Sequence, residues 1–205
     1  MASTRGYAGI PAADRRAERR RRLMDAGYTL LAERGPDALT VTAVCQGARL
    51  TARYFYEHFE NREALVAAIV RTEADAVCGA ILAAALEAEG GPEERARVAV
   101  AAMLDQIEAD PRRGWMARRH DEVVLRLRAL VAERMTELMV EHGHVIWPQA
   151  AEHAARMPLA AALTVGGVLQ VVADFAEGGS DLARDDVVRI GARFALQTGE
   201  IVLAG

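Results

Sequence analysis

Apolar residues recur every three or four positions along most of this 205-residue chain, and that spacing constrains the fold more than any other feature. Leu23, Ala26 and Leu30 show it near the start, and Met103 and Ile107 show it near the middle. A helix that buries one face requires this period, whereas a half-buried strand requires an alternation of apolar and polar residues, which we do not find. The sequence therefore predicts an all-α protein.

Glycine, proline and capping residues divide the apolar pattern into about nine helices. Gly35-Pro36 ends the first helix, because glycine is favoured just past a helix end and proline cannot continue the helix. Thr40, Thr51 and Asn61 can cap the second, third and fourth helices. We expect helices over residues 14–34, 40–46, 51–59, 61–86, 92–107, 115–120, 122–142, 159–177 and 185–203.

Charge is divided unevenly along the chain. The first 62 residues carry 11 arginines and 7 acidic residues, a net charge of +4, whereas the remainder carries a net −8. A basic head on an acidic body suits a protein of which only the head meets a polyanion. Six arginines cluster at Arg15, Arg16 and Arg19 to Arg22, either as a DNA-facing basic arm or as a solvated helix face.

The segment from Thr40 to Leu65 reads TVTAVCQGARLTARYFYEHFENREAL, two short helices about a tight turn, which is the pattern of a helix-turn-helix. Its run from Tyr56 to Phe59, followed by Arg62 and Leu65, resembles the tyrosine, any residue, histidine, phenylalanine signature of the TetR family of transcriptional regulators. The resemblance rests on motifs over about the first third of the chain and on helix number and order elsewhere. It implies a three-helix DNA-binding domain over residues 1–60, including the basic arm, and a helical effector-binding and dimerisation domain over residues 61–205.

The start of the third helix is expected to meet DNA bases, because that end of a recognition helix enters the major groove. Arg53 can donate two hydrogen bonds to a guanine, or it can contact a phosphate or stay solvated. Ala52 can meet a thymine methyl, and the resemblance implies that Tyr56 and His58 bind phosphates. The predicted DNA-binding residues are Thr40, Thr51, Ala52, Arg53, Tyr54, Tyr56, His58 and Arg62, whereas Phe55 and Phe59 are assigned to the core of the head.

One position departs from the family pattern. Arg49 stands where the family usually has the glycine of the turn, and Gly47 lies two positions earlier. A residue other than glycine at positive φ costs on the order of 1 kcal/mol. Either Arg49 accepts this strain or the turn has another shape.

The resemblance also implies two functions for the helical body. The last two helices would form a dimer interface, unless their apolar faces build the core of a monomer; the expected contributors are Leu163, Gly167, Gln170, Val171 and Phe194. An effector pocket would lie among the fourth to eighth helices, although methionine and tryptophan at helical spacing are also typical of plain core. The pocket candidates are Met103, Trp115, Met116, His120, Met135, Met139 and Trp147.

Several other classes are disfavoured by the residues present. Cys45 and Cys78 are too few for a disulfide framework, so we expect buried free thiols in a reducing compartment. His142 and His144 diverge on a helix, and no serine lies in a nucleophile context, so we predict no enzyme, metal or cofactor. The run 159–173 is shorter than the roughly 20 residues of a bilayer span, and no leader segment is recognised, so we expect a cytoplasmic protein without a membrane partner.

These features predict a TetR-type transcriptional regulator and repressor. It would bind a double-stranded, pseudo-palindromic operator as a homodimer and be released by a small-molecule effector. The alternatives are a DNA-binding architectural or interaction module without an effector, and a small helical enzyme.

Overall fold

The computed structural model describes residues 12–117 and 119–203, with the side chains of residues 12 and 115–117 excepted. Within these ranges the chain forms nine α-helices, three 3-10 helices and no strand, which confirms the predicted fold class. The α-helices are α1 Ala12–Arg34, α2 Val41–Ala48, α3 Ala52–Tyr56, α4 Arg62–Glu87, α5 Pro92–Glu108, α6 Pro111–Ala117, α7 Glu122–His142, α8 Met157–Ala176 and α9 Arg184–Leu203. The 3-10 helices are Pro36–Ala38, Gly143–Val145 and Pro148–Arg156. The first eleven residues of the expected basic arm lie outside the described residues.

Two predicted helices were misplaced. The sixth was expected at 115–120 but covers Pro111–Ala117, because Pro111 fits a first helical turn and the Asp110 carboxylate accepts a hydrogen bond from the Arg112 amide at 2.9 Å. The third ends at Tyr56 rather than Phe59. There the Phe55 carbonyl accepts from both the His58 amide at 3.0 Å and the Phe59 amide at 2.9 Å, a shared bond that is common at helix ends.

The chain divides into two compact units, a head that ends at Ile69 and a body that begins at Val70. The head holds α1, α2, α3 and the first residues of α4, around a core that includes Leu23, Val44 and Phe55, each 0 % exposed. Phe55 and Phe59 are both buried, as predicted, with ring centroids 5.8 Å apart. This division falls within α4, and the domain boundary expected after residue 60 stays a prediction.

Two of the predicted helix caps in the head are formed. Thr40 Oγ1 accepts a hydrogen bond from the Ala43 amide at 3.1 Å, and Asn61 Oδ1 accepts one from the Ala64 amide at 2.8 Å. Thr51 occupies the N-cap position of α3, but its side chain makes no capping bond. Its exposed hydroxyl is therefore not engaged in capping the helix it precedes.

In the body, α9 packs against α5 and α8, and α8 also packs against α7. Trp147 is buried at 1 % exposure, and its Nε1 donates to the Ala195 carbonyl of α9 at 3.0 Å. The indole lies directly over Gly199, where a Cβ would overlap Nε1. Gly199, near the carboxyl end of α9, is thus explained by the tryptophan that covers it.

Both cysteines are free and buried, as predicted. Burial raises the pKa of the Cys78 thiol to about 11, so this side chain is a thiol at neutral pH. Each cysteine fills space in the core of its own unit.

One stretch, Pro148–Ala176, is long and apolar enough to cross a membrane by length and composition, and 33 % of its most apolar window is buried. Core helices of soluble proteins meet the same criterion, so the evidence for a span is weak. The stretch is also not one continuous α-helix, because it begins with a 3-10 helix in which His153 has non-helical backbone angles.

Candidate nucleic-acid interface

The turn between α2 and α3 keeps its usual geometry in spite of Arg49. This residue adopts the left-handed conformation, with φ 52° and ψ 47°. The Arg49 amide donates to the Gln46 carbonyl at 3.1 Å and the Leu50 amide donates to the Cys45 carbonyl at 2.9 Å. This pair of bonds is the Schellman motif that glycine normally completes. Of the two possibilities left open by the sequence, Arg49 accepts the strain.

Arg22 supports this strained turn from α1. Its guanidinium donates to the Ala48 carbonyl, and the same nitrogen lies 3.5 Å from the Arg49 carbonyl oxygen. A cation at the carboxyl end of α2 also complements the partial negative charge of the helix terminus. Sequence reasoning missed this role, because Arg22 was grouped with the arm, and no local pattern pairs residues 26 positions apart.

The other arginines of the cluster make distinct contacts within the head. The Arg19 guanidinium lies over the Tyr54 ring at 4.7 Å and that of Arg20 over the Phe59 ring at 5.1 Å. Arg16 donates to the Glu57 carbonyl at 3.5 Å, and Arg21 pairs with Glu18 on the same helix at 2.7 Å. Arg16, Arg19 and Arg20 thus connect α1 to the region around α3, and the DNA-facing role of the cluster stays a prediction.

The first residues of α3 are open to solvent. Thr51, Ala52 and Arg53 are all exposed, and 85 % of the Arg53 side chain is accessible. Its Nε lies 3.3 Å from a carboxylate oxygen of Glu57, one turn along the helix. Exposed pairs of this kind contribute roughly 0–1 kcal/mol, so the guanidinium can leave Glu57 for a stronger acceptor.

The aromatic residues of the signature differ in their surroundings. Tyr56 is 61 % exposed and its ring meets Phe55 edge-on at 5.4 Å, which leaves its outer edge in solvent. Tyr54 is half-buried beneath Arg19. Tyr56 is thus available to a large partner, whereas only part of Tyr54 is.

His58 is more enclosed than the sequence suggested. Its Nε2 is buried and has no hydrogen-bond partner, so a phosphate contact through this atom requires a change of rotamer. Burial lowers the pKa of His58, and the positive charges of Arg16 and Arg19 lower it further. The imidazole is therefore neutral at pH 7, and it can donate one hydrogen bond.

Arg62 opens α4, with its Nε 3.1 Å from a carboxylate oxygen of Glu63. At this helix start the Ala64 amide donates to Asn61 Oδ1 at 2.8 Å, and the Glu63 amide donates to its own carboxylate, which lowers the pKa of Glu63. Thr40 is exposed, although its Oγ1 already caps α2. The eight predicted DNA-binding residues thus all lie between the start of α2 and the start of α4.

Comparison with known proteins decides the identity of this head. The family model of bacterial regulatory proteins, tetR family, matches residues 23–69, which span the helix-turn-helix and its flanking helices. This head therefore matches the DNA-binding region of the TetR family. No curated protein matches the chain at a significant level.

Solved structures extend the likeness from the head to most of the fold. The fatty acid degradation regulator FadR from Bacillus halodurans is 17% identical, with a TM-score of 0.66 over 87% of this chain and 94% of that one. A TetR-like transcriptional regulator from Rhodococcus sp. RHA1 is 21% identical, with a TM-score of 0.61 over 92% and 97%. The repressor AlkX from Dietzia sp. strain DQ12-45-1b is 19% identical, with a TM-score of 0.58 over 89% and 96%. At these identities the likeness shows the shared fold.

The body contains a narrow apolar cavity. Met103, Met135 and Met139, three of the predicted pocket residues, line it together with Val168 and Thr164. Thr164 was missed from sequence, because a single threonine in an apolar helix carries no pattern that separates a pocket wall from core. Its hydroxyl is nevertheless the polar group of the cavity wall.

Of the remaining pocket candidates, Trp147 and His120 do not line this cavity. Trp147 is core, held by its bond to Ala195. The His120 side chain is 66% exposed, with Nε2 3.6 Å from a Glu177 oxygen, and the adjacent Asp121 caps α7. The side chains of Trp115 and Met116 lie outside the described residues. The predicted set is therefore only partly brought together.

The residues predicted for a dimer interface lie on an exposed apolar stripe of α8 and α9. Leu163 is 49 % exposed, Phe194 is 42 % exposed and Val171 is 38 % exposed. Gly167 is half-buried, and a Cβ there would lie 2.7 Å from the Phe194 ring. Leu159, Gln170, Ile190 and Ile201 extend the stripe. An apolar surface of this extent is unusual on a protomer that functions alone.

Within residues 12–117 and 119–203, no group of three or more histidine, cysteine or acidic side chains is placed to hold a metal ion. Glu141 and His142 approach each other at 3.7 Å without a third ligand. This part of the chain offers no assembled metal centre.

Proposed function

We propose that this chain is a TetR-family repressor that binds a pseudo-palindromic operator as a homodimer and leaves it when a small-molecule effector binds the body. The observation that carries the proposal is the set of open side chains at the start of α3, on a head of net positive charge. We propose no catalytic role for the chain, and a cytoplasmic site of action follows from a function on DNA.

Arg53 is the residue we assign to base recognition. Its side chain is 85% exposed at the amino-terminal end of the recognition helix, and its only described ionic partner is a weak surface pair with Glu57. A bidentate bond from arginine to a guanine discriminates by about 1–3 kcal/mol per base pair. Thr51 and Ala52 precede it on the same open surface and would meet neighbouring base edges.

Tyr56 and Arg62 are assigned to the DNA backbone. The exposed Tyr56 hydroxyl can donate to a phosphate, and Arg62 can do so beside the start of α4. Thr40, Tyr54 and His58 are assigned a secondary part. The hydroxyl of Thr40 caps α2, Tyr54 lies beneath Arg19, and His58 Nε2 is enclosed.

The exposed stripe on α8 and α9 supports dimerisation. Helix-turn-helix proteins of this kind read two half-sites about one helical turn of DNA apart, which requires two copies of the recognition helix. Side chains such as Leu163 and Phe194 would become buried between two copies, and Gly167 leaves room for the Phe194 ring of its own protomer.

The apolar cavity supports an effector of apolar character. The relatives FadR and AlkX are named for fatty acid degradation and for n-alkane biodegradation, respectively. Ile81 of α4 lines the cavity, and α4 is the helix that begins in the head and ends in the body. A molecule that displaces Ile81 would thus act on the helix shared by both units, and release of DNA requires only that the effector bind the DNA-free state more tightly.

The experiment that tests DNA recognition compares two substitutions by fluorescence anisotropy at two salt concentrations. Arg53→Ala is expected to lower the affinity for a selected operator about 10- to 100-fold while changing the affinity for random DNA little, because a base contact is lost. Tyr56→Phe is expected to weaken both kinds of DNA alike, because a phosphate contact carries no sequence information.

Arg97→Ala serves as the control, since Arg97 is an exposed arginine of the body paired with Glu94. Its binding should match that of the wild type. Equal losses on operator and random DNA for Arg53→Ala would refute the assigned base contact.

A further inference from the structure

Thr164 carries an unusual group for its surroundings. The residue is 1 % exposed in the middle of α8, and its Oγ1 is buried without any hydrogen-bond partner. The hydroxyl stands in the wall of the narrow cavity among apolar side chains that include Val100, Met103 and Val168. Buried hydroxyl groups nearly always find a partner, so this one needs an explanation.

Other threonines of the body show what a purely structural hydroxyl does here. Thr198 Oγ1 donates to the Phe194 carbonyl at 2.8 Å, and Thr136 Oγ1 donates to the Ala132 carbonyl at 2.8 Å. Each hydroxyl is thus hydrogen-bonded to a carbonyl of its own helix, four residues earlier. No such bond forms for Thr164, so its hydroxyl remains available to whatever enters the cavity.

The cavity wall defines what can enter. Apart from Thr164, the lining residues are alanine, valine, isoleucine and methionine, and none is ionisable. A charged group placed there would lose its hydration without a compensating partner, which is far more costly than burying a neutral hydroxyl. The inner part of the site therefore selects an uncharged group that can exchange one hydrogen bond.

A second cavity continues from the first. The cavities measure about 40 and 50 Å³ and share Ile81, Met135 and Met139 in their walls. Spaces of this size hold only a few waters, so an organic molecule must displace side chains. Methionine is the apolar side chain that moves most readily, because it is unbranched. Rotation of Met135 and Met139 would join the two cavities into one elongated slot with His142 in the wall of the outer part.

We infer that the body binds an uncharged, elongated apolar molecule with one terminal hydrogen-bonding group, held at Thr164 Oγ1 with its tail in the slot opened by Met135 and Met139. This inference rests on the proposed effector function and adds the chemical class of the ligand. Thr164 is thereby the residue that determines specificity, and the three lining methionines accommodate tails of different lengths.

The test measures binding to the purified protein alone, by isothermal titration calorimetry without DNA. The probes are straight-chain primary alcohols of six to twelve carbons, the alkanes of the same lengths and the corresponding carboxylates. The variants are Thr164→Val, which replaces the hydroxyl with a methyl of similar size, and Thr198→Val as the matched control, because the Thr198 hydroxyl already has a partner.

At least one alcohol is expected to bind more tightly than its alkane and its carboxylate. Thr164→Val should weaken that alcohol about 5- to 15-fold, the usual value of one neutral hydrogen bond, and leave alkane binding unchanged. The same variant should raise the Tm of the ligand-free protein by about 2–4 °C, because it removes an unsatisfied buried hydroxyl. A merely structural threonine would not produce these opposite effects on binding and stability, and Thr198→Val should not change the ligand preference.

Three results would overturn the inference: no alcohol binds at any length, alcohol and alkane are weakened equally by Thr164→Val, or the carboxylate binds best and responds to His142→Gln instead. None of these depends on DNA. If an alcohol binds through Thr164 but does not release operator DNA, the inference stands and the proposed effector mechanism fails.

Discussion

Replacing Phe194 with glutamate is expected to leave the protomer folded but convert a dimer into a monomer. Phe194 is 42 % exposed on the apolar stripe of α8 and α9, and in a two-fold interface each copy would bury a carboxylate against apolar residues of the other. Since both recognition helices must bind together, affinity for DNA with two half-sites should fall about 100-fold or more. Sedimentation equilibrium measures the assembly, and fluorescence anisotropy measures the affinity.

Leu86→Glu is the matched control for Phe194→Glu. Leu86 is 45 % exposed on α4, close to the exposure of Phe194, but it does not belong to the stripe. It should leave both assembly and DNA binding unchanged. A Phe194→Glu protein that still sediments as a dimer would show that the stripe is not the interface.

Replacing Gly199 with alanine is expected to lower the free energy of unfolding by about 3 kcal/mol. The new methyl would overlap Trp147 Nε1, and the indole cannot retreat without breaking its bond to the Ala195 carbonyl and disturbing the core. Overpacking of this kind typically costs about 1–3 kcal/mol, and the lost hydrogen bond adds about 1 kcal/mol. Chemical denaturation followed by circular dichroism measures the change.

Gly79→Ala is expected to change the free energy of unfolding in the opposite direction, in the same experiment. Gly79 lies within α4, and nothing lies within 4 Å of the position its Cβ would take. Alanine there should raise the free energy of unfolding by up to about 1 kcal/mol, the difference in helix propensity. If both alanine variants were stabilised, the packing of Trp147 on Gly199 would be wrong.

The features of the head that could be predicted from sequence are those determined by nearby residues. The caps at Thr40 and Asn61 and the pair Phe55 and Phe59 each involve positions three or four apart, which a helical pattern specifies directly. The contact from Arg22 to the turn is different, because it joins α1 to α2 through tertiary packing. Nothing in the local sequence distinguishes Arg22 from its neighbour Arg21.

In the body, the sequence pattern predicted most of the helices but not which face of each helix is exposed. A run such as α8 is apolar on nearly every face, so Leu163 and Val165 look equivalent, yet the first is 49 % exposed and the second is 5 % exposed. A core and an interface are built from the same residue types. Only the packing of α9 and α5 shows which face of α8 stays exposed. The error at α6 arose similarly, since proline after aspartate can end one helix or begin the next.

Thr164 illustrates the limit for a binding site. Its importance lies in a hydrogen bond that is not made, and a missing bond becomes visible only when the neighbouring carbonyls and side chains are placed. Trp147 is the opposite case. It was predicted to line a pocket, but it lies in the core with its Nε1 hydrogen-bonded to the Ala195 carbonyl. Residue type alone could not separate the two.

Selection of bound sequences from a random duplex library by the purified full chain measures most directly whether two copies of this head read DNA together. We expect enrichment of an inverted repeat with half-site centres about one helical turn, or a multiple of it, apart. Enrichment of a single unrepeated half-site, or of no sequence at all, would contradict it.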